Sequence, residues 1–309
     1  MMKRSFLLIL LTVMSAGLLG PHRINAAPPG DDGKLRIIVF GAHPDDAEFD
    51  AGGSAALWAS MGHHVKFVSV TNGDLGHYEM GGGPLARRRK KEVLKAAEIL
   101  GITTQVLDIH DGELLPTLEN RKTLVRLIRD WQADIVMGHR PYDYSPDHRN
   151  VGLLMQDTAF MVTVPFYELN SPVVEPNPVY LYLYDGFQKP YPFEADIAVS
   201  IDDVIEKKAR ARDALASQVY ETVYGVTEKT RRERLSKIPK DPEERLQLSR
   251  ERVAAGAGRA ADKYRDTLIK WYGPEKGRAV KAAEVFEVCE FGRRPSEDEI
   301  RKLFPFLSR

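Results

Sequence analysis

From Lys34 to Ile201 the chain alternates short apolar runs with helical patterns, and that order leaves few folds open. Strand candidates lie at 35–40, 65–71, 104–109, 134–137, 179–184 and 197–201, and helical patterns at 54–61, 85–100, 118–131 and 150–160 separate the first five. Parallel strands need such crossovers, whereas antiparallel ones can be joined by short turns. The expected fold is therefore α/β, a Rossmann-like, mostly parallel sheet with helices on both faces. Gly101, just past the second helical pattern, reads as its C′ residue.

Beyond residue 201 the character changes. Charged, alanine-containing helical patterns run to about Trp271, broken near Pro239 and Pro242, and a final helical pair is expected at 276–290 and 296–304. This stretch either packs on the core or builds a homo-oligomer, and the sequence leaves both open. The expected organisation is an α/β core over 34–201 and a helical extension over 202–309, preceded by a linker at 27–33. Residues 1–26 read as a signal peptide. Lys3-Arg4 precede an apolar run from Ser5 to Leu19, and Ile24-Asn25-Ala26 offers a small residue for cleavage. An exported protein, periplasmic or secreted, is expected. No later stretch is long and apolar enough to span a bilayer, so stable membrane insertion of the mature chain is not expected.

Charge and cysteine usage narrow the chemistry. Forty-four basic and 44 acidic side chains cancel, which argues against a nucleic-acid binder. Cys289 is the single cysteine, so an intrachain disulfide and a cysteine-based zinc site are both excluded. Any metal must use nitrogen and oxygen ligands.

Ligands of open α/β sheets bind outside the carboxyl ends of the strands. The first such loop is Gly41-Ala42-His43-Pro44-Asp45-Asp46-Ala47-Glu48, with Gly52-Gly53 before the expected helix. His43 and Asp46 can converge on one cation, and two adjacent carboxylates without a counter-charge would raise each other's pKa. The plainer alternative is that both acids cap the helix. The loop after the fourth strand ends in Ser145-Pro146-Asp147-His148. His148 would complete two imidazoles and a carboxylate with a position left for water, as catalytic zinc is held. The same set suits Fe2+.

His43-Pro44-Asp45-Asp46-Ala47-Glu48, Gly52-Gly53, Thr71-Asn72-Gly73-Asp74, Arg89-Lys90-Lys91-Glu92 and Pro146-Asp147-His148-Arg149 together resemble the PIG-L/LmbE-like family of zinc-dependent deacetylases. The resemblance covers roughly Lys34 to Asp185. It implies removal of an acetyl group from the nitrogen of an N-acetylglucosamine unit in an amino sugar or glycoconjugate. It also implies zinc bound by His43, Asp46 and His148, with Asp45 as general base. Arg89 matches a family arginine near the substrate, and Asp74 and Asp111, on carboxyl-end loops, are candidates for sugar hydroxyls. Turn formation would explain both acids equally.

One position departs from the pattern. Ser145 stands where the family usually has a histidine credited with oxyanion stabilisation or proton transfer. Three outcomes follow: His139, Tyr142 or Tyr144 takes over, the metal and Asp45 suffice, or the protein binds metal and sugar with little or no turnover. The last is the competing function, a non-catalytic or weakly active homologue.

Overall fold

The structure is a computed structural model that describes residues 32–222 and 226–307. The expected signal peptide and most of the linker lie outside these residues. Among the described residues no helix is long and apolar enough to cross a membrane.

One seven-stranded sheet has the order β3-β2-β1-β4-β5-β7-β6. Strands β1 (Arg36–Gly41), β2 (His64–Ser69), β3 (Thr103–Val106), β4 (Ile135–Gly138) and β5 (Val179–Tyr182) run parallel. β6 (Ile197–Ser200) is joined to them only through β7 (Ala283–Gly292), which is antiparallel to both neighbours. The expected Rossmann-like α/β architecture is therefore present. Its strand order reverses between β1 and β4, which opens a crevice at their carboxyl ends.

The alternation of side chains along each strand feeds two cores. On β1, Ile37 and Val39 face one core and Ile38 and Phe40 the other. The first core is covered by α1 (Asp46–Ser60) and α2 (Gly82–Leu100), the second by α3 (Leu118–Trp131) and α4 (Pro146–Met161). Both faces of the central strands are dry, which is why these runs read as continuously apolar. α2 ends as expected, with Gly101 in the left-handed region at φ 80°.

The C-terminal half comprises α5 (Ile205–Ala214), α6 (Ala216–Val219), α7 (Glu228–Ser236), α8 (Pro242–Lys263), α9 (Arg265–Tyr272), α10 (Pro274–Ala279) and α11 (Glu297–Leu303). One expectation here is overturned. The helix expected at 276–290 stops at Ala279, and residues 283–292 form β7 inside the sheet. Three glutamates, Glu284, Glu287 and Glu290, lie along this strand. Two of them, Glu284 and Glu287, are buried.

Glu284 explains a second correction. The helix expected from Ser54 begins at Asp46, so Gly52-Gly53 lie within α1 instead of before it. Here α1 presses on the C-terminal half, and a Cβ on Gly53 would sit 2.6 Å from Ile201 Cγ2. Gly53 N–H, Ser54 N–H and Ser54 Oγ all donate to the Glu284 carboxylate, at 2.7 Å each. Lys208 of α5 pairs with the same carboxylate and also donates to Phe49 O, at 2.6 Å. A buried ion pair thus pins the first turns of α1 from outside.

Candidate metal centre and cleft

The β1–α1 loop delivers His43, Asp45 and Asp46, and the first turn of α4 delivers His148. α4 starts four residues earlier than expected, with Ser145 at its N-cap position and Pro146 in its first turn, where a missing N–H costs nothing. The two loops flank the β1/β4 crevice. His43 Nδ1 and His148 Nε2 face each other at 3.1 Å. Asp46 Oδ2 lies 3.5 Å from each of them.

These three donor atoms form a near-equilateral triangle. Bonds of about 2.0–2.1 Å in tetrahedral zinc require ligand atoms about 3.3 Å apart, so the triangle fits one face of such a site. The outer nitrogens support the same assignment. His148 Nδ1 is 3.2 Å from Asp143 Oδ2, and His43 Nε2 is 3.2 Å from both Asp147 Oδ2 and Asp111 Oδ1. Metal-bound imidazoles usually donate their remaining N–H to a carboxylate in this manner. Asp147 is fixed in turn by Gly112 N–H at 2.6 Å and Leu114 N–H at 3.2 Å.

The two acids of the pair behave differently. Burial opposes ionisation of Asp46, but the His148 and His139 rings hold its carboxyl well below the usual range. Burial, then the charge of Asp46, pushes Asp45 up to about 7. Asp45 occupies the N-cap position of α1 yet its side chain makes no capping hydrogen bond, so helix capping is not its task. It lines a cleft of about 250 Å³ together with His43, Asp46, Arg89, Asp111 and Ser145.

The remaining candidates divide. Tyr144 lines the cleft, with its ring edge-on to His148 at 5.4 Å. His139 does not line it: buried, it stacks on the His148 ring at 4.0 Å and faces Asp46 Oδ2 at 3.2 Å. Tyr142 lies outside the cleft against Tyr191. Of the three side chains considered as substitutes for the absent histidine, only Tyr144 is in place.

Asp74 is buried away from the cleft and is spent on the neighbouring loop, contacting His110 Nδ1 at 2.6 Å and Asp111 N–H at 3.1 Å. Arg89 reaches the cleft but is largely consumed inside the protein. It donates to Gly73 O, to Leu75 O at 2.6 Å and to Thr222 Oγ1 at 3.4 Å, and it faces Asp111 Oδ2 at 3.6 Å. It braces the loop between β2 and α2. Asp111 sits between Arg89 and His43.

Some members of the site escaped the sequence reading. Asp143 lies in the same loop as His148, and its place five residues earlier was its only signal. Gln218 and Thr222, from the C-terminal half, close one side of the cleft, and no motif marks them.

Residues 38–159 match the PIG-L family, described as GlcNAc-PI de-N-acetylase. The chain is 32% identical over 199 residues to a diacetylchitobiose deacetylase of Thermococcus kodakarensis, covering 62% of this chain and 73% of that protein. It is 29% identical over 198 residues to a 4-oxalmesaconate hydratase of Pseudomonas putida, covering 59% and 73%. The solved N,N'-diacetylchitobiose deacetylase of Pyrococcus horikoshii superposes with a TM-score of 0.60 at 23% identity, covering 82% of this chain and 83% of that one. This chain belongs to the PIG-L family.

Proposed function

We propose that the protein is a metal-dependent hydrolase that removes an N-acetyl group from an amino sugar or glycoconjugate of the N-acetylglucosamine type. The observation that carries this reading is Asp45: a carboxyl that lines the cleft beside the ligand triangle and outside it, and that makes no capping hydrogen bond. A site that only holds a metal has no need for such a group. His43, Asp46 and His148 would hold Zn2+, with Fe2+ as the other fitting ion. When bound, the ion supplies Lewis acidity that activates water and stabilises charge developing on the amide oxygen.

The chain's own residues do the rest. Asp45 accepts the proton of the attacking water and returns it to the departing amine nitrogen. Asp143 and Asp147 hold the two imidazoles in their ligating orientation. Ser145 brings a hydroxyl to the cleft where relatives bring an imidazole, so charge stabilisation rests on the ion, with Tyr144 beside it. Loss of one oxyanion donor costs about 10²–10³ in rate, so turnover slower than in histidine-bearing relatives is expected. Export would place the substrate among extracytoplasmic glycan fragments.

The hydratase relative favours a second reading, water addition to an unsaturated carboxylate at the same metal site. The cleft weighs against it. Asp45, Asp46, Asp111 and Asp147 line it with Arg89 as the one guanidinium, an acidic surround for a polycarboxylate. The test is amine release from N,N'-diacetylchitobiose and related sugars by zinc-loaded protein, with Asp45→Asn and metal analysis alongside. Turnover reduced about 10²–10⁴-fold in the variant, metal retained, is the expected result. Metal bound without amine release from any sugar would favour the non-catalytic homologue, and consumption of an unsaturated dicarboxylate would favour the hydratase.

A further inference from the structure

A larger cavity, about 620 Å³, lies apart from the metal cleft and shares no lining residue with it. It sits between α1, α5, α8 and β7. The sequence of α8 creates it. Gly256, Ala257 and Ala260 leave room on the face turned to the sheet, while Arg252, Arg259 and Lys263 stand around them at helical spacing. From α5, Arg212 lies over the Phe49 ring at 5.5 Å, and its Nη1 is buried with no hydrogen-bond partner among the described residues. Arg259 likewise has no hydrogen bond or ion pair among the described residues. The floor is apolar, formed by Phe49, Ala283 and Val285, with Tyr184 at the edge.

The charge balance is one-sided. Of the two acids that line the cavity, Glu284 is matched by Lys208. Asp50 is the one remaining acid, and burial, then the charge of Asp46, pushes its carboxyl up. Arg212, Arg252, Arg259 and Lys263 thus outnumber the remaining acid of the cavity four to one. A buried guanidinium nitrogen without an acceptor is costly unless something supplies one. Guanidinium forks match phosphate and carboxylate oxygens, and the volume is that of a small-molecule site.

We propose that this cavity is a second binding site, for an organic anion that carries a phosphate or carboxylate on a sugar-sized body. The anionic group meets Arg212 and Arg259, and the body rests on Phe49 and Val285. The site does not depend on the deacetylase reading, because none of its residues belongs to the metal centre.

The test is calorimetric titration of the full, zinc-loaded chain with glucose 6-phosphate, glucuronate, glucose and inorganic phosphate. The expected result is binding of at least one sugar anion at least tenfold tighter than both glucose and inorganic phosphate. Arg212→Met should weaken that binding tenfold or more. Arg259→Glu, at an exposed position where folding is not at stake, should do the same. His148→Ala should leave it unchanged. Absence of sugar-anion binding, or binding untouched by Arg259→Glu, would overturn the proposal. So would inorganic phosphate binding as tightly as the sugar phosphate, or binding lost only in His148→Ala, which would place the ligand in the metal cleft.

Discussion

Lys208→Met tests how the C-terminal half holds the start of α1. Lys208 Nζ lies 2.5 Å from Glu284 Oε1, and the two side chains are 9% and 3% exposed. Removing the ammonium leaves a largely buried carboxylate without its paired charge, and takes from Phe49 O its side-chain donor. Breaking a buried pair by deleting one partner costs about 3–5 kcal/mol, a large part of the ~5–15 kcal/mol that stabilises a typical domain. With a urea slope near ~3 kcal/mol/M, the unfolding midpoint should fall by about 1–1.7 M. The Lys208→Met/Glu284→Gln double variant removes both charges and keeps one amide oxygen, which can serve the Ser54 donors but not Gly53 N–H as well. It should be more stable than the sum of the single effects predicts, by at least ~1 kcal/mol. Urea unfolding followed by circular dichroism on all four proteins closes the cycle. A single-variant loss below ~1 kcal/mol, or strictly additive effects, would refute the idea that this pair acts as a unit.

Two other consequences are measurable. Asp143→Ala removes the carboxylate behind His148 and should weaken zinc affinity about 10–100-fold, read by competition with a chelating dye, while the melting temperature of the metal-free protein changes little. Arg88 pairs with Glu221 through contacts of 2.6 and 2.8 Å and holds its carboxyl below the ordinary 4.5. A carboxyl whose folded pKa is lowered adds stability above its unfolded pKa and loses it as pH falls through the folded value. Glu221→Gln should therefore destabilise by no more than ~1 kcal/mol at pH 7, given its partial exposure. The gap should close progressively below about pH 4.5 in thermal melts, and a gap that widens on acidification would contradict the sign.

The sequence was most legible where burial is two-sided and regular. Ile37–Phe40 and Ile135–Met137 are apolar on both faces because helices cover both, so their runs stand out without alternation. The convergence of His43, Asp46 and His148 was legible for a different reason: His43 and Asp46 are local, and His148 follows a strand that the same pattern revealed. What failed were features set by distant partners. Glu284 and Glu287 are acceptable in a buried strand only because Gly53, Ser54 and Lys208 satisfy the first and Glu194 N–H the second. Read locally, their spacing favours a helix. Gly52-Gly53 looked like a break before α1, whereas the pair admits Ile201 and Glu284 to its flank. His139 was read as a stand-in for the absent histidine, and its burial against His148 is a matter of packing that spacing cannot report.

The placement of β7 bears on how the protein is made. β5 is complete at residue 182, but the strand that covers its free edge begins at residue 283. At about 5–20 residues per second of synthesis, the ribosome needs roughly five to twenty seconds to deliver the hundred residues between them. Throughout that interval β5 presents unpaired backbone groups, a template for pairing with a neighbouring nascent chain, and β6 has no strand to join. The order of the strands alone sets the timing: the sheet cannot close until its last strand has emerged.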